Sequence, residues 1–157
     1  MTYYQLIGII LIDSTHDFGE VLSIFLSTQS KKKDVIAFLD ELKAILEKED
    51  FNINTDLTLI RKKKEKEDQQ FSTPYTLLDL DYDTGDVVER LKELSVEDYS
   101  ETKIDKDDLN PPLLYVFGKN INYKQVYVKL KIKGVQSRHV LCVPFHYAKE
   151  KMLFPYA

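Results

Sequence analysis

Residues 125–132 alternate strictly in type: Gln125, Tyr127, Lys129 and Lys131 are separated by Val126, Val128, Leu130 and Ile132. Successive side chains leave an extended strand on opposite faces. One face of this segment is therefore apolar, and the other carries an amide, a phenol and two ammonium groups about 6–7 Å apart. That step is close to the phosphate spacing of an extended RNA strand. Downstream lies His146, one of only three histidines. Cleaving RNA without a metal requires a group to take the 2′-hydroxyl proton, cations to stabilise charge on the phosphate, and an acid for the leaving oxygen. Histidine suits the proton transfers near neutral pH, and Tyr127, Lys129, Lys119 and Arg138 are available for the remaining tasks, with Gln125 and Lys131 as further RNA contacts. The plainer alternatives are a solvated strand face whose lysines discourage aggregation and a histidine with a structural role.

The elements that must hold these groups are legible in the spacing. Val35, Phe38, Leu39, Leu42, Ile45 and Leu46 recur at helical intervals after Lys31, which predicts an amphipathic helix. Residues 56–61 read as a short strand and residues 62–70 as a charged loop. Pro74 suits the first turn of a helix carrying Leu77, Leu78 and Leu80. Asp83 to Asp86 offers caps to a further helix with Val87, Val88, Leu91 and Leu94 on one face. Ser95 and Asp98 have the form of a capping box, so residues 96–101 are expected to be a last helical turn. Beyond Pro111-Pro112 the period becomes two. Residues 113–118, 125–132 and 138–147 predict a three-stranded antiparallel meander, with turns at 119–124 and 133–137. His146 is expected to share a face with Val140, Cys142 and Pro144. A pairing centred on the second turn sets Tyr127 roughly opposite Val143, and a slip of a residue or two brings His146 to Gln125 or Tyr127. The expected fold is α+β, a small antiparallel sheet (the meander plus the short earlier strand) against N-terminal helices, with residues 1–30 an extension of unassigned structure and 31–157 the functional domain.

Bulk properties set limits. The single cysteine, Cys142, excludes an internal disulfide framework and suits a reducing compartment, so the cytoplasm is expected. The longest apolar run, residues 6–12, is far short of the ~20 residues of a membrane span, and no basic residue precedes it as in a secretory signal. Neither a membrane nor a cofactor is expected as a partner. Charge is uneven: residues 71–110 carry net −8 and residues 111–157 net +7. A phosphate-binding face on an acidic domain has this look, and so do two segments that attract each other. The acids Asp79, Asp81, Asp83 and Asp86 lack the glycine and glutamate of a calcium loop. His16 and His139 lack partners at metal spacing, and there is no glycine-rich phosphate loop, so no metal is expected. No helix-turn-helix is legible, which disfavours a DNA-binding repressor.

From Val87 onward the chain resembles the Gram-positive branch of the MqsR-type toxins, within the RelE-like group of messenger-RNA endonucleases. The resemblance rests on residues 91–99 (LKELSVEDY), 116–119 (VFGK), 125–132 (QVYVKLKI), 140–148 (VLCVPFHYA) and the closing Phe154-Pro155-Tyr156. The helix after Lys31 and the strand near residues 56–63 also fit. It implies a RelE-like helix-and-sheet fold, a ribosome-independent, metal-independent endoribonuclease whose free form arrests growth, and a cognate antitoxin protein in a type II toxin-antitoxin system. Carried over by position, the family's active-site tyrosine falls on Tyr127. The basic residue of the last strand, a lysine in better-known members, falls on His146, and the serine before it on Pro144. A family lysine lands on Glu101, leaving nearby Lys103 as its substitute, and the family's glutamine aligns near residues 117–119. The implied catalytic set is Tyr127, His146, Lys129 and Lys119, with Lys131, Gln125, Arg138 and Lys103 binding RNA. A non-catalytic RNA- or protein-binding protein of the same fold is the alternative.

Overall fold

The computed structural model describes residues 27–157. The apolar run at 6–12 and His16 lie outside the described residues. Strand β1 (Ser27–Thr28) precedes helix α1 (Lys32–Leu46), and β2 (Leu57–Leu59) leads through a 3-10 segment (Lys66–Phe71) to α2 (Thr73–Leu80) and α3 (Thr84–Lys92). A 3-10 turn (Val96–Asp98) then opens β3 (Tyr99–Lys103), followed by β4 (Leu114–Ile121), β5 (Lys124–Lys133) and β6 (His139–Tyr147). The domain is α+β, and its described residues form a six-stranded sheet in the order β1-β3-β4-β5-β6-β2.

Local signals explain most of these elements. The six apolar positions of α1 are its buried residues. Ser72 caps α2 by accepting from the Tyr75 amide, with Pro74 in the first turn, and Asp83 and Asp86 close a reciprocal box at α3. These two acids are thereby occupied in capping. The Ser95–Asp98 box also forms, but it supports a single 3-10 turn rather than helix to Glu101. The chain extends at Tyr99, whose fully buried ring packs edge-on against Phe117. The first hairpin turn is tighter than expected. Asn122 and Tyr123 both adopt positive φ, 50° and 64°, the two-residue geometry that matches strand twist.

Two expectations need correction. The sheet is mixed, not antiparallel throughout, because β2 runs parallel to β6 from Leu57↔Val140 to Leu59↔Cys142. It is also larger, with β1 and β3 extending it on the far side through Ser27↔Lys103 and Thr28↔Thr102. Residues 27–30 join the rest of the domain through this pairing and through the Ser30 carbonyl, which accepts from the Tyr156 hydroxyl.

The helices cover one face of the sheet, where Phe38 stacks on Tyr115 with centroids 4.2 Å apart and Val126, Val128, Leu130 and Ile132 join the core. Along β6 the exposed edge is divided. β2 satisfies its first half, with the Ile60 amide donating to the Cys142 carbonyl, and α2 satisfies the second. The amides of Phe145 and Tyr147 donate to the hydroxyls of Thr73 (3.2 Å) and Thr76 (3.0 Å). Those threonines sit one turn apart and are fully buried. Thr76→Val keeps the shape but leaves the buried Tyr147 amide without an acceptor. It should cost about 1–3 kcal/mol in urea unfolding, with Thr76→Ser close to wild type; equal stability of all three would show that the helix does not carry this edge.

Candidate active site

Strand β5 delivers Gln125, Tyr127 and Lys129 to the face opposite the helices, as alternation requires. β6 delivers His146 there by a different device. Between the pairs Val128↔Phe145 and Leu130↔Cys142, β5 has one intervening residue and β6 has two, Val143 and Pro144. This is a β-bulge, and proline is at home in it because it has no amide to donate to the ladder. The extra residue inverts the phase of β6. Val140 and Cys142 before it and Phe145 after it all join the core, and His146 turns to the open face. The expectation that His146 shares a face with Val140 and Cys142 is thus corrected, and its partner is Tyr127 itself. The two rings stack with centroids 5.6 Å apart and planes 14° from parallel.

Cations surround this pair. The Lys129 ammonium lies 5.9 Å from the centre of the Tyr127 ring. Lys103, on β3, sits beside the Tyr127 phenol and is held at 3.1 Å from Glu101. The Lys64 ammonium donates to His146 Nε2 at 3.3 Å. On the other side of the ring Nδ1 donates to the Tyr147 carbonyl at 2.9 Å, which fixes the tautomer and leaves the Nε2 lone pair facing the lysine. Burial, reinforced by the Lys64 charge, pushes the imidazole down to about 4. Burial and then the charge of Lys103 lower Lys129. For Lys103, burial is outweighed by Tyr127 and Glu101, so its proton is held more firmly than usual. Burial raises the Tyr127 phenol, despite Lys103. At neutral pH the site therefore offers an uncharged imidazole lone pair, a protonated phenol and ammonium groups.

Two adjoining clefts, of about 860 and 430 Å³, meet here and share Lys103 and His146. The larger is walled by the C-terminal segment, which crosses the sheet at Gly118. Gly118 is the neighbour of Tyr127 on β4, and a Cβ there would lie 2.7 Å from the Phe154 ring and 2.9 Å from the Met152 sulfur. The smaller runs between Lys62 and Lys64 on one side and residues 104–107 on the other.

Other expected site residues are elsewhere. Lys119 is paired with Val126 and so points to the helix face, where it reaches the Glu93 carbonyl; it cannot act beside Tyr127. Lys131 is on the open face but is fully buried, 2.9 Å from Asp105 and 3.3 Å from Asp108, so it has no surface to offer a ligand. Arg138 bonds Glu41 and the Gly134 carbonyl at the remote hairpin end. Gln125 shares the face of Tyr127 but lines a separate small hollow near Tyr75 and Tyr147. Lys64 was not singled out by sequence, for its only signal was membership of a charged loop. His139 is structural, with Nδ1 donating to the Thr55 carbonyl and Nε2 accepting from Thr58. Cys142 is wholly buried, which pushes its thiol up. Among the described residues no group of His, Cys, Asp or Glu is placed to hold a metal, and no helix is long and apolar enough to cross a membrane.

No family model, no curated protein and no solved structure matches this chain. Among the described residues, fold and geometry alone define an α+β domain with a cationic, aromatic-floored groove on the sheet face opposite the helices.

His146 should titrate by NMR with a midpoint near 4 rather than 6.5. A depressed folded-state value means that burial of the neutral ring contributes stability above pH 6.5, lost as pH falls toward 4. His146→Gln has no ring to protonate, so this acid-linked loss disappears and the acid-unfolding midpoint should move downward; a ring that titrates near 6.5 would contradict its enclosure.

Proposed function

We propose that this chain is a metal-independent endoribonuclease that cuts messenger RNA, a toxin resembling the MqsR branch of the RelE-like group, held in check in the cytoplasm by a cognate antitoxin. One observation carries the reading: Tyr127 and His146, found by independent arguments, are direct cross-strand partners in a groove edged by Lys64, Lys103 and Lys129. An RNA strand laid along the groove meets these ammonium groups with its phosphates. The 2′-oxygen attacks the adjacent phosphorus, and the 5′-oxygen leaves, giving a 2′,3′-cyclic phosphate and a 5′-hydroxyl. His146 Nε2 is the acceptor for the 2′-hydroxyl proton. Lys103, Lys129 and the Tyr127 hydroxyl donate to the phosphoryl oxygens, where negative charge grows in the transition state. The groups needed are all side chains of this protein, so no metal enters the scheme.

A second reading, RNA binding without cleavage, is favoured by the bond from Lys64 to His146 Nε2, which occupies the lone pair that a base requires. Incubation of the purified protein with a naked oligoribonucleotide separates the two. Cleavage should persist in EDTA, and Tyr127→Phe and His146→Ala should each slow single-turnover cutting by about ten- to ten-thousand-fold without loss of fold. Lys129→Ala should chiefly weaken RNA binding, most at low salt. Intact RNA with folded protein, or activity that EDTA abolishes and magnesium restores, refutes the proposal.

A further inference from the structure

Resting on the ribonuclease reading, we infer that Lys64 is the acid that protonates the leaving 5′-oxygen, and that its direct contact with His146 resets both groups after each cut.

Like Lys129, and unlike Lys62 and Lys103, Lys64 forms no ion pair with a carboxylate among the described residues, and it is Lys64 that contacts His146. Lys62 is tied to Asp107 at 2.8 Å and Lys103 to Glu101 at 3.1 Å. Asp68, the carboxylate whose charge acts on Lys64, is bound by Lys149 at 2.8 Å. Among the described residues, the hydrogen-bond partner of Lys64 is the imidazole of His146, at 3.3 Å. A bond from an ammonium to a neutral ring nitrogen is weaker than one to a carboxylate and yields more readily to a phosphodiester. Lys64 also lines the smaller cleft together with Lys129 and His146, so one phosphate can reach all three. Burial, opposed by Asp68 and reinforced by Lys149, loosens the lysine's proton, which moves it toward the range useful to an acid.

The step balances. The 2′-oxygen forms its bond to phosphorus as its proton passes to His146 Nε2. The bond from phosphorus to the 5′-oxygen breaks, and that oxygen takes a proton from Lys64 Nζ. The protein is left with an imidazolium beside a neutral amine. The amine is the stronger base, because burial disfavours the charged form of the ring, so the proton returns from Nε2 to Nζ across the existing contact. The starting state is restored without a proton from solvent.

The test compares two oligoribonucleotides, one ordinary and one in which sulfur replaces the 5′-oxygen of the scissile phosphate. A thiolate leaves without protonation, so only the ordinary substrate needs the acid. In single turnover at saturating protein, where weaker binding no longer limits the rate, Lys64→Ala should cut the ordinary strand about 100- to 10,000-fold more slowly than wild type and the sulfur strand at close to the wild-type rate. Lys64→Arg keeps the charge but cannot release a proton near neutral pH, and should show the same split, which separates acid catalysis from phosphate binding and guards against an unfolded alanine variant. His146→Ala should slow both substrates. Equal slowing of both by the Lys64 variants, or wild-type cutting of the ordinary strand by either, overturns the assignment while leaving the ribonuclease reading intact. Failure of the wild-type protein to cut either strand overturns the reading beneath it as well.

Discussion

The β-bulge at Val143-Pro144 sets the phase of everything that follows in β6. Alternation along a strand admits no gradual change, so a single extra residue moves every later side chain to the other face. Without it, Phe145 and Tyr147 would leave the core and His146 would enter it. Exposing a phenylalanine costs about 1.5–3 kcal/mol, and the imidazole would lose the bonds that satisfy both its nitrogens. The same residue divides the strand's outer edge. Before the bulge β6 pairs with β2, and after it the amides of Phe145 and Tyr147 turn to Thr73 and Thr76 of α2. Among the described residues the edge is closed without a further strand, and the groove face of His146 is left open.

The contrast between the acidic middle of the chain and its basic C-terminal third is largely resolved by internal pairing. Lys131 is enclosed by Asp105 and Asp108, and Lys133 also reaches Asp108. Lys124 meets Asp79, and Lys119 approaches Glu93 and Asp98. The buried ammonium of Lys131 is the costly member of this set, tolerable only because its partners are fixed on the adjoining loop. That loop in turn forms a wall of the smaller cleft. The net charge of the segments therefore says little about a ligand. What matters is the residue of this matching, Lys129 and Lys64 at the groove, the first from the basic third and the second from a segment whose charges balance.

How much the sequence discloses follows from how local each signal is. The buried face of α1, the caps of α2 and α3 and the three long strands are written in intervals of a few residues, and all of them form. The strands β1 and β3 are not, since Ser27–Thr28 is too short for any pattern and the polar segment from Ser100 to Lys103 follows a valid capping box. β1 and β3 are also partners remote from one another in the chain, at a separation no periodicity reports. Tyr127 is legible because β5 alternates without interruption. His146 is legible as a residue type but not as a position, because no interval marks a bulge, although Pro144 within a strand is a hint of one. The opposite fates of Lys129 and Lys131, identical in pattern, depend on a loop that folds back over only the second. Lys64 is illegible for the same reason, since its meaning comes from an imidazole 82 residues away.

The electrostatics of the groove connect these placements to what the site can do. Lys64 lowers the proton affinity of His146, and Lys103 and Lys149 lower those of Lys129 and Lys64. In surroundings shielded from water such repulsions are weakly screened, so His146, Lys129 and Lys64 hold their protons less firmly than they would in solvent, whereas Lys103 and Tyr127 hold theirs more firmly. An anion in the groove reverses the sign. A phosphate among these cations draws the Lys64 ammonium to itself, frees Nε2 of His146, and raises the proton affinity of the ring by adding negative charge nearby. Linkage makes this mutual: whatever strengthens the ring as a base when the anion binds also strengthens anion binding when the ring is protonated. A histidine that is a poor base in the free protein thus becomes a better one at the moment a phosphodiester occupies the groove.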